Sequence, residues 1–225
     1  MIKAIIFDFN GVIIDDEPLH EKAFRQACLE IGIRLSRRDH AAFCLGRTDV
    51  DGARRIQEKF SLTDQAREGL LQSKSRLYFN LLENDLHPVL GVVELIESLT
   101  RLPMAGKQDS TFLLAIVTAA YPEEVEFILK TLGMREHFSV VVSAKDVTHS
   151  KPDPEPYLLA AKKLGVLPSE CAVIEDTPSG IASAKGAGMK CIGITTTRRK
   201  EELQHADIII DNLFEISADV VNRFE

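Results

Sequence analysis

The sequence predicts an α/β protein in which a doubly wound parallel sheet carries a small helical domain inserted after its first strand. Three observations lead there. From residue 112 onward, short apolar runs of strand length alternate with amphipathic stretches of helical period. The runs are apolar throughout rather than alternating, as expected of strands buried on both faces. Residues 16–85, in contrast, show helical periods and no strand pattern.

The first strand is Ile2–Asp8, ending IIFD. In EPLHEKAFRQACLEIG, residues Leu19, Ala23, Phe24, Ala27, Cys28 and Ile31 fall on one helical face, and Ala66, Leu70, Leu77 and Leu81 do the same over 64–83. The chain returns through HPVLGVVELIESL (87–99). LPMAGKQDS (102–110) breaks both periods and reads as a surface loop. FLLAIVT (112–118) is the next strand, followed by Pro122 and the helix EEVEFILKTLG, closed by Gly133. FSVVVSA (138–144) precedes the helix PEPYLLAAKKLG (154–165). CAVIE (171–175) precedes PSGIASAKGAG (178–188), and KCIGIT (190–195) and ADIII (206–210) complete the sheet. Proline near helix starts and glycine at helix ends bound these units, and strand–helix–strand repetition implies right-handed parallel crossovers. Residues 1–15 and 86–225 thus form a Rossmann-like core, and 16–85 a helical cap.

The chain has 225 residues, 45% of them hydrophobic and 27% charged, with a formal net charge of −7. No basic face is on offer for nucleic acid or an anionic membrane, although a local metal ion or helix N-terminus can still receive an anionic substrate. The four cysteines are scattered without a C-x-x-C, which points to reduced thiols rather than a zinc site or disulfide frame. No signal peptide or membrane-length apolar stretch is visible. A cytoplasmic monomer is expected.

Ligands of open α/β sheets bind beyond the carboxyl ends of the strands. There the sequence places Asp8 and Asn10, Thr118, the turn carrying Lys151, and Glu175-Asp176. An aspartate closing a strand is ordinarily a turn or capping residue; the coincidence across four strands is what argues for a site. The set suits metal-assisted phosphoryl transfer. Asp8 and Asp176, with Glu175 beside them, offer hard oxygen ligands for Mg²⁺. A carboxylate nucleophile is ionised at neutral pH and can form an aspartyl phosphate, while the Thr118 hydroxyl and Lys151 ammonium can hold the phosphoryl oxygens.

DFNGV, AIVTAA, SKPDPEPYLLAAKKLG and VIEDTPSGIASAKGAG resemble, in order and spacing, the four motifs of the haloacid dehalogenase-like superfamily. The likeness is strongest to its helical-cap sugar-phosphate phosphatases and β-phosphoglucomutases. It implies a Mg²⁺-dependent phosphatase of a small phosphorylated metabolite, with Asp8 as nucleophile, Thr118 and Lys151 as phosphate binders, and Asp8, Asn10, Glu175 and Asp176 around the metal. Substrate contacts are implied for His20, Gly46, Arg47, Thr118, Ala119 and Lys151; CLGRTD (44–49) resembles the substrate loop, and His20 falls at the cap hinge. Two short linkers imply a cap that hinges and excludes water.

Position 10 departs from the family, where it is normally an aspartate whose backbone carbonyl binds metal and whose side chain is the general acid/base. An amide cannot exchange a proton at neutral pH, and such catalysis is worth about 10²–10⁴-fold. A slow or specialised phosphatase is the first reading, with Asp15, Asp16 and His20 the nearest alternative proton carriers in sequence. A phosphotransferase of β-phosphoglucomutase type, or a catalytically retired relative that binds a phosphorylated ligand, are the alternatives. Metal-free dehalogenase chemistry is disfavoured by Glu175-Asp176. Asn10-Gly11 is also a deamidation-prone pair, unless an ordered turn protects it. Elsewhere, Gly11 reads as a backbone requirement, and Gly180, Gly186 and Gly188 as close helix–sheet packing. His40, His87, His137, His149 and His205 read as surface or locally bonded groups, and Arg198–Glu202 as a solvated helix.

Overall fold

The computed structural model describes residues 1–45, 47–101, 111–217 and 220–221; Gly46 and the loop expected at 102–110 lie outside the described residues. The chain divides into two compact units, Met1–Asp15 with Pro88–Glu225, and Asp16–His87.

The larger unit holds six strands: β1 (Ala4–Phe7), β2 (Leu113–Val117), β3 (Val140–Val142), β4 (Cys171–Glu175), β5 (Lys190–Ile194) and β6 (Ile208–Ile210). They form one sheet in the order β3-β2-β1-β4-β5-β6, parallel throughout. Both faces are buried, which is why the strand sequences do not alternate. On one face Ala4, Ile6, Ala115, Val117, Val142, Val173 and Cys191 share a core with Tyr157, Ala160 and Ala161 of α7 (Glu155–Leu164) and with Ile181 and Ala184 of α8 (Pro178–Gly186). The intervening Ile5, Phe7, Leu114, Ile116, Ala172 and Ile174 are buried too. The chain leaves central β1 for β2 and β3 on one side and resumes at β4 on the other. The switch point that this creates lies at the carboxyl end of β1, where ligands of such sheets bind.

The smaller unit is helical: α1 (Glu17–Glu30), α2 (Arg37–Phe43), α3 (Asp49–Phe60) and α4 (Asp64–Leu82). Ser36, Thr48 and Thr63 cap the last three, each hydroxyl accepting a backbone N–H three residues on. Leu19, Ala23, Phe24, Ala27 and Cys28 of α1 are buried as expected; Ile31 lies past the helix end, 39% exposed. The buried stripe of α4 is Leu70, Lys74, Leu77, Tyr78 and Leu82. It runs straight through a lysine.

Three expectations need correction. Gly188 does not serve close packing: a Cβ there would meet nothing within 4 Å, and its φ of +76° marks a turn after α8. His40 is 4% exposed, since it lies on the inner side of α2 with its ring 5.9 Å from that of Phe24. The Arg198–Glu202 segment holds only a 3₁₀ turn, Lys200–Glu202, because Leu203 directly after it is drawn fully into the core. Among the described residues, no helix is long and apolar enough to cross a membrane. The four cysteines are buried and free.

Candidate active site

Backbone register brings the strand-end residues together. Phe7 pairs with Ile116 on one side and Ile174 on the other, so the residues following all three strands meet at one level. Asp8 leaves β1 there, held by its N–H to the Ile174 carbonyl at 2.9 Å. Thr118, 5% exposed, leaves β2 with its N–H on the Val142 carbonyl, and its hydroxyl accepts the Ala120 N–H at 2.9 Å. Ala119 beside it is exposed.

Lys151 arrives from the loop between β3 and α7. That loop is tied by its own acids: Glu155 accepts the N–H groups of Thr148 and His149 at 2.8 and 2.9 Å, and Asp153 accepts the Glu155 N–H at 2.9 Å. From this frame the Lys151 ammonium reaches Asp8 Oδ1 at 2.7 Å, Glu175 Oε1 at 2.6 Å and the Val117 carbonyl at 3.1 Å. Its three donors are thereby used.

Glu175 is fully buried and saturated. Its Oε1 accepts from Lys151 and from the Tyr157 hydroxyl at 2.8 Å, and its Oε2 from the N–H and hydroxyl of Thr177 at 3.2 and 3.0 Å. Four donors fill the four lone-pair positions of a carboxylate. Thr177 also caps α8 through the Gly180 N–H, with Pro178 at the first helical position. Gly180 is required by contact: a Cβ there would lie 1.7 Å from Glu175 Oε1.

Asp176 differs. Its Oδ2 accepts the Thr197 hydroxyl, while Oδ1 is buried without a hydrogen-bond partner among the described residues. An orphaned buried carboxylate oxygen is uncommon and points to a missing cation or water. Oxygens of Asp8, Glu175 and Asp176 lie within 4.8 Å of one another, close enough to share one metal ion. Gly11 makes room for them. It sits at φ +78°, and a Cβ on it would fall 2.2 Å from Asp176 Oδ2.

Three carboxylates thus face one ammonium. Burial, and then Glu175, push the Asp8 carboxyl up to about 6 despite Lys151. Burial, Asp8 and Glu175 together hold Asp176 well above the usual carboxylate range. Burial disfavours the Lys151 charge, but Asp8 and Glu175 outweigh it and move its pKa upward. The cluster is short of positive charge, and hard oxygen donors suit a hard divalent cation.

Asn10 lies in the turn after β1, where it bridges to Ile14. The Gly11 N–H, the nitrogen that deamidation of Asn10 would require as attacker, donates to the Ile14 carbonyl at 2.7 Å. His20 belongs to a separate network inside the helical unit. Its Nε2 meets Asp16 Oδ2 at 3.0 Å and its Nδ1 the Lys74 ammonium at 2.7 Å, while Tyr78 donates to Asp16 and Lys74 also pairs with Asp49 at 2.5 Å. Asp16 and His20 are therefore already engaged with each other. Arg47 is exposed, its backbone N–H on the Cys44 carbonyl.

Sequence reasoning missed Tyr157, Thr177, Thr196 and Thr197. Thr177 had a signal, a threonine before Pro178 at a helix start. Thr196 and Thr197 follow β5 and lay within reach of the strand-end rule that found Asp8; they hydrogen-bond to the Gly11 carbonyl and to Asp176.

Residues 5–194 match the family model described as haloacid dehalogenase-like hydrolase. The chain is 31% identical over 192 residues to the fructose-1-phosphate phosphatase YqaB of Escherichia coli, covering 85% of this chain and 95% of that one. It is 29% identical over 194 residues to a phosphorylated carbohydrates phosphatase of Thermotoga maritima, covering 85% and 84%. Its fold matches the crystal structure of an Asp-to-Asn mutant of CbbY from Rhodobacter sphaeroides in complex with xylulose-1,5-bisphosphate, with TM-score 0.81, 27% identity, and 96% and 97% of the two chains covered.

Proposed function

The chain belongs to the haloacid dehalogenase-like hydrolases, and from that premise we propose that it is a Mg²⁺-dependent phosphatase of small phosphorylated sugars, working through an aspartyl phosphate on Asp8. The names of the relatives support the substrate class. The observation that carries the mechanism is Asp8 Oδ1 held 2.7 Å from the Lys151 ammonium, beside an Asp176 oxygen that has no partner.

Asp8 and Asp176 would hold the metal, with the backbone carbonyl of Asn10. Glu175, whose lone pairs are taken, instead orients Lys151. When bound, Mg²⁺ supplies positive charge that lets Asp8 stay ionised and neutralises a phosphoryl group. Asp8 Oδ2 is the oxygen free of Lys151 and attacks phosphorus, so that the P–O bond to the sugar breaks, the sugar oxygen takes a proton from solvent, and an acyl phosphate forms. The Thr118 hydroxyl donates to a non-bridging oxygen of the transferring group, and the Lys151 ammonium, its donors engaged, stabilises that group through its charge. Water then attacks phosphorus, giving up its proton to bulk water, and phosphate and the Asp8 carboxylate are released.

Asn10 can hydrogen-bond the departing and entering oxygens but cannot carry a proton between them. That supports slow turnover, and it also favours a second reading, binding of a phosphorylated sugar without turnover. A CbbY variant with an Asp-to-Asn substitution is described in complex with a bisphosphate, which is compatible with that second reading.

Phosphate release from a panel of sugar phosphates, with and without Mg²⁺, tests both. Turnover that vanishes in Asp8→Ala and on chelation supports the phosphatase. Tight ligand binding with turnover appearing only in Asn10→Asp supports the binding reading. Turnover that persists in Asp8→Ala refutes the mechanism.

A further inference from the structure

The loop after β5 touches the active site at two consecutive residues, and no motif of the sequence marks it. The Thr196 hydroxyl donates to the Gly11 carbonyl and the Thr197 hydroxyl to Asp176 Oδ2, with Thr197 Cγ2 2.9 Å from where a Gly11 Cβ would stand. The loop is thus seated on the turn that follows Asp8. Its second hydroxyl meets Asp176, whose other oxygen is buried without a partner among the described residues.

A carboxylate with both oxygens unrestrained can rotate about its Cβ–Cγ bond and bind a cation in several ways. Here one oxygen is tied by Thr197 on the side where a Gly11 Cβ would stand, and Oδ1 remains, buried and without a partner among the described residues. Groups that orient metal ligands from behind commonly change metal affinity by about 10–100-fold. We infer that Thr197 is a positioning residue: by pinning Oδ2 it aims Oδ1 of Asp176 at a divalent cation. The inference rests on the metal reading above. Glu175 makes the contrast. It has four donors and no open oxygen, so the loop after β5 singles out Asp176 as the ligand while α8 and Lys151 withdraw its neighbour.

The plain alternative is that the hydroxyl merely satisfies a buried acceptor, or that the threonine methyl fills space. Both are separable from the proposal by calorimetric titration of the chelator-treated protein with Mg²⁺. Thr197→Val keeps the shape and removes the donor; it is expected to weaken Mg²⁺ binding by about 10–100-fold, with the melting temperature in EDTA little changed. Thr197→Ser keeps the donor and loses the methyl, and is expected to bind within a few-fold of the unaltered protein. Should Thr197→Val not fold, Thr197→Ala against Thr197→Ser gives the same comparison. Mg²⁺ affinity in Thr197→Val equal to that of the unaltered protein overturns the inference and leaves the metal reading standing. So does equal weakening in Thr197→Ser and Thr197→Val, which would assign the effect to packing. Absence of Mg²⁺ binding by the unaltered protein overturns the metal reading and the inference with it.

Discussion

Removing divalent ions is expected to make this protein's stability fall as pH rises from 5 to 7.5, and Asp8 gives the magnitude. Its carboxyl is raised from 3.8 to about 6, through burial first and Glu175 second, with Lys151 offsetting only part. A raised folded-state pKa means that the metal-free folded protein holds this proton more tightly than the unfolded chain does. The associated stability is fully present below the unfolded value and is lost as pH climbs through about 6. Roughly two pKa units correspond to about 3 kcal/mol over the whole window from about pH 3.5 to 7, of which about half, ~1.5 kcal/mol or about 3–6 °C in Tm for a chain of this size, falls between pH 5 and 7.5. Asp176 shifts in the same direction and adds to the loss. Bound Mg²⁺ reverses the sign, because the proton must leave before the cation can bind; its stabilisation is therefore large at pH 7.5 and fades below pH ~6. Thermal unfolding in EDTA and in Mg²⁺ across this range measures the effect. His20, also raised, would tilt the profile the same way, so Asp8→Asn is the control. That variant mimics the protonated acid, and in EDTA it should gain on the unaltered protein by about 1.5 kcal/mol between pH 5 and 7.5. A constant Tm difference between the two proteins across that window, or an equal Mg²⁺ effect at both ends, would refute the reasoning.

Gly180→Ala tests the packing around Glu175: in an ordinary helix the change gains up to ~1 kcal/mol. Here the Cβ would meet a carboxylate fixed by four donors, so a loss of roughly 1–3 kcal/mol is expected in urea unfolding. Lys74→Ala should destabilise the helical unit by about 3 kcal/mol, read by chemical denaturation, since Lys74 is 1% exposed and pairs with Asp49 and His20. If Asn10 slows water's attack more than phosphoryl transfer, rapid-quench kinetics should show a burst of sugar release ahead of steady-state phosphate; Asn10→Asp should abolish the burst and raise the steady rate about 10²–10⁴-fold. Peptide mapping of aged protein should find Asn10 intact, because the Gly11 N–H is committed to the Ile14 carbonyl; a deamidated fraction that tracks activity would reverse that view.

The parallel sheet was legible because both its faces are buried, which stamps unbroken apolar runs such as IIF and LLAIV on the sequence. The strand-end rule then located Asp8, Thr118, Lys151, Glu175 and Asp176 before any coordinate. What it could not supply was division of labour among the carboxylates. Glu175 and Asp176 are adjacent in sequence and chemically alike. Only the positions of Tyr157, Thr177 and Thr197 distinguish the saturated one from the open one. Lys74 was hidden differently. It lies four residues after Leu70 and three before Leu77, on the apolar stripe of α4, but a lysine reads as solvated until Asp49, His20 and the Tyr78 ring, 4.5 Å from its ammonium, are seen around it.

The amide at position 10 is best weighed against what surrounds it. The contacts proposed here for the transferring group and the metal come from Asp8, Thr118, Lys151 and Asp176, and none of these needs a titrating side chain at position 10. Proton transfer is worth about 10²–10⁴-fold, whereas enzymes as a class accelerate their reactions by about 10⁶–10¹⁷-fold. Losing the smaller factor leaves most of the larger one. A site kept only for binding would have little need of a second carboxylate, Asp8, 2.7 Å from an ammonium that is itself held in place by a buried, fully bonded glutamate. Three buried carboxylates around one ammonium leave Asp8 and Asp176 with upward-shifted pKa values, because negative charge there lacks a counter-charge. Such a shortfall is useful where charge must be neutralised during a reaction, and it is why turnover at a reduced rate remains the reading that the arrangement supports best.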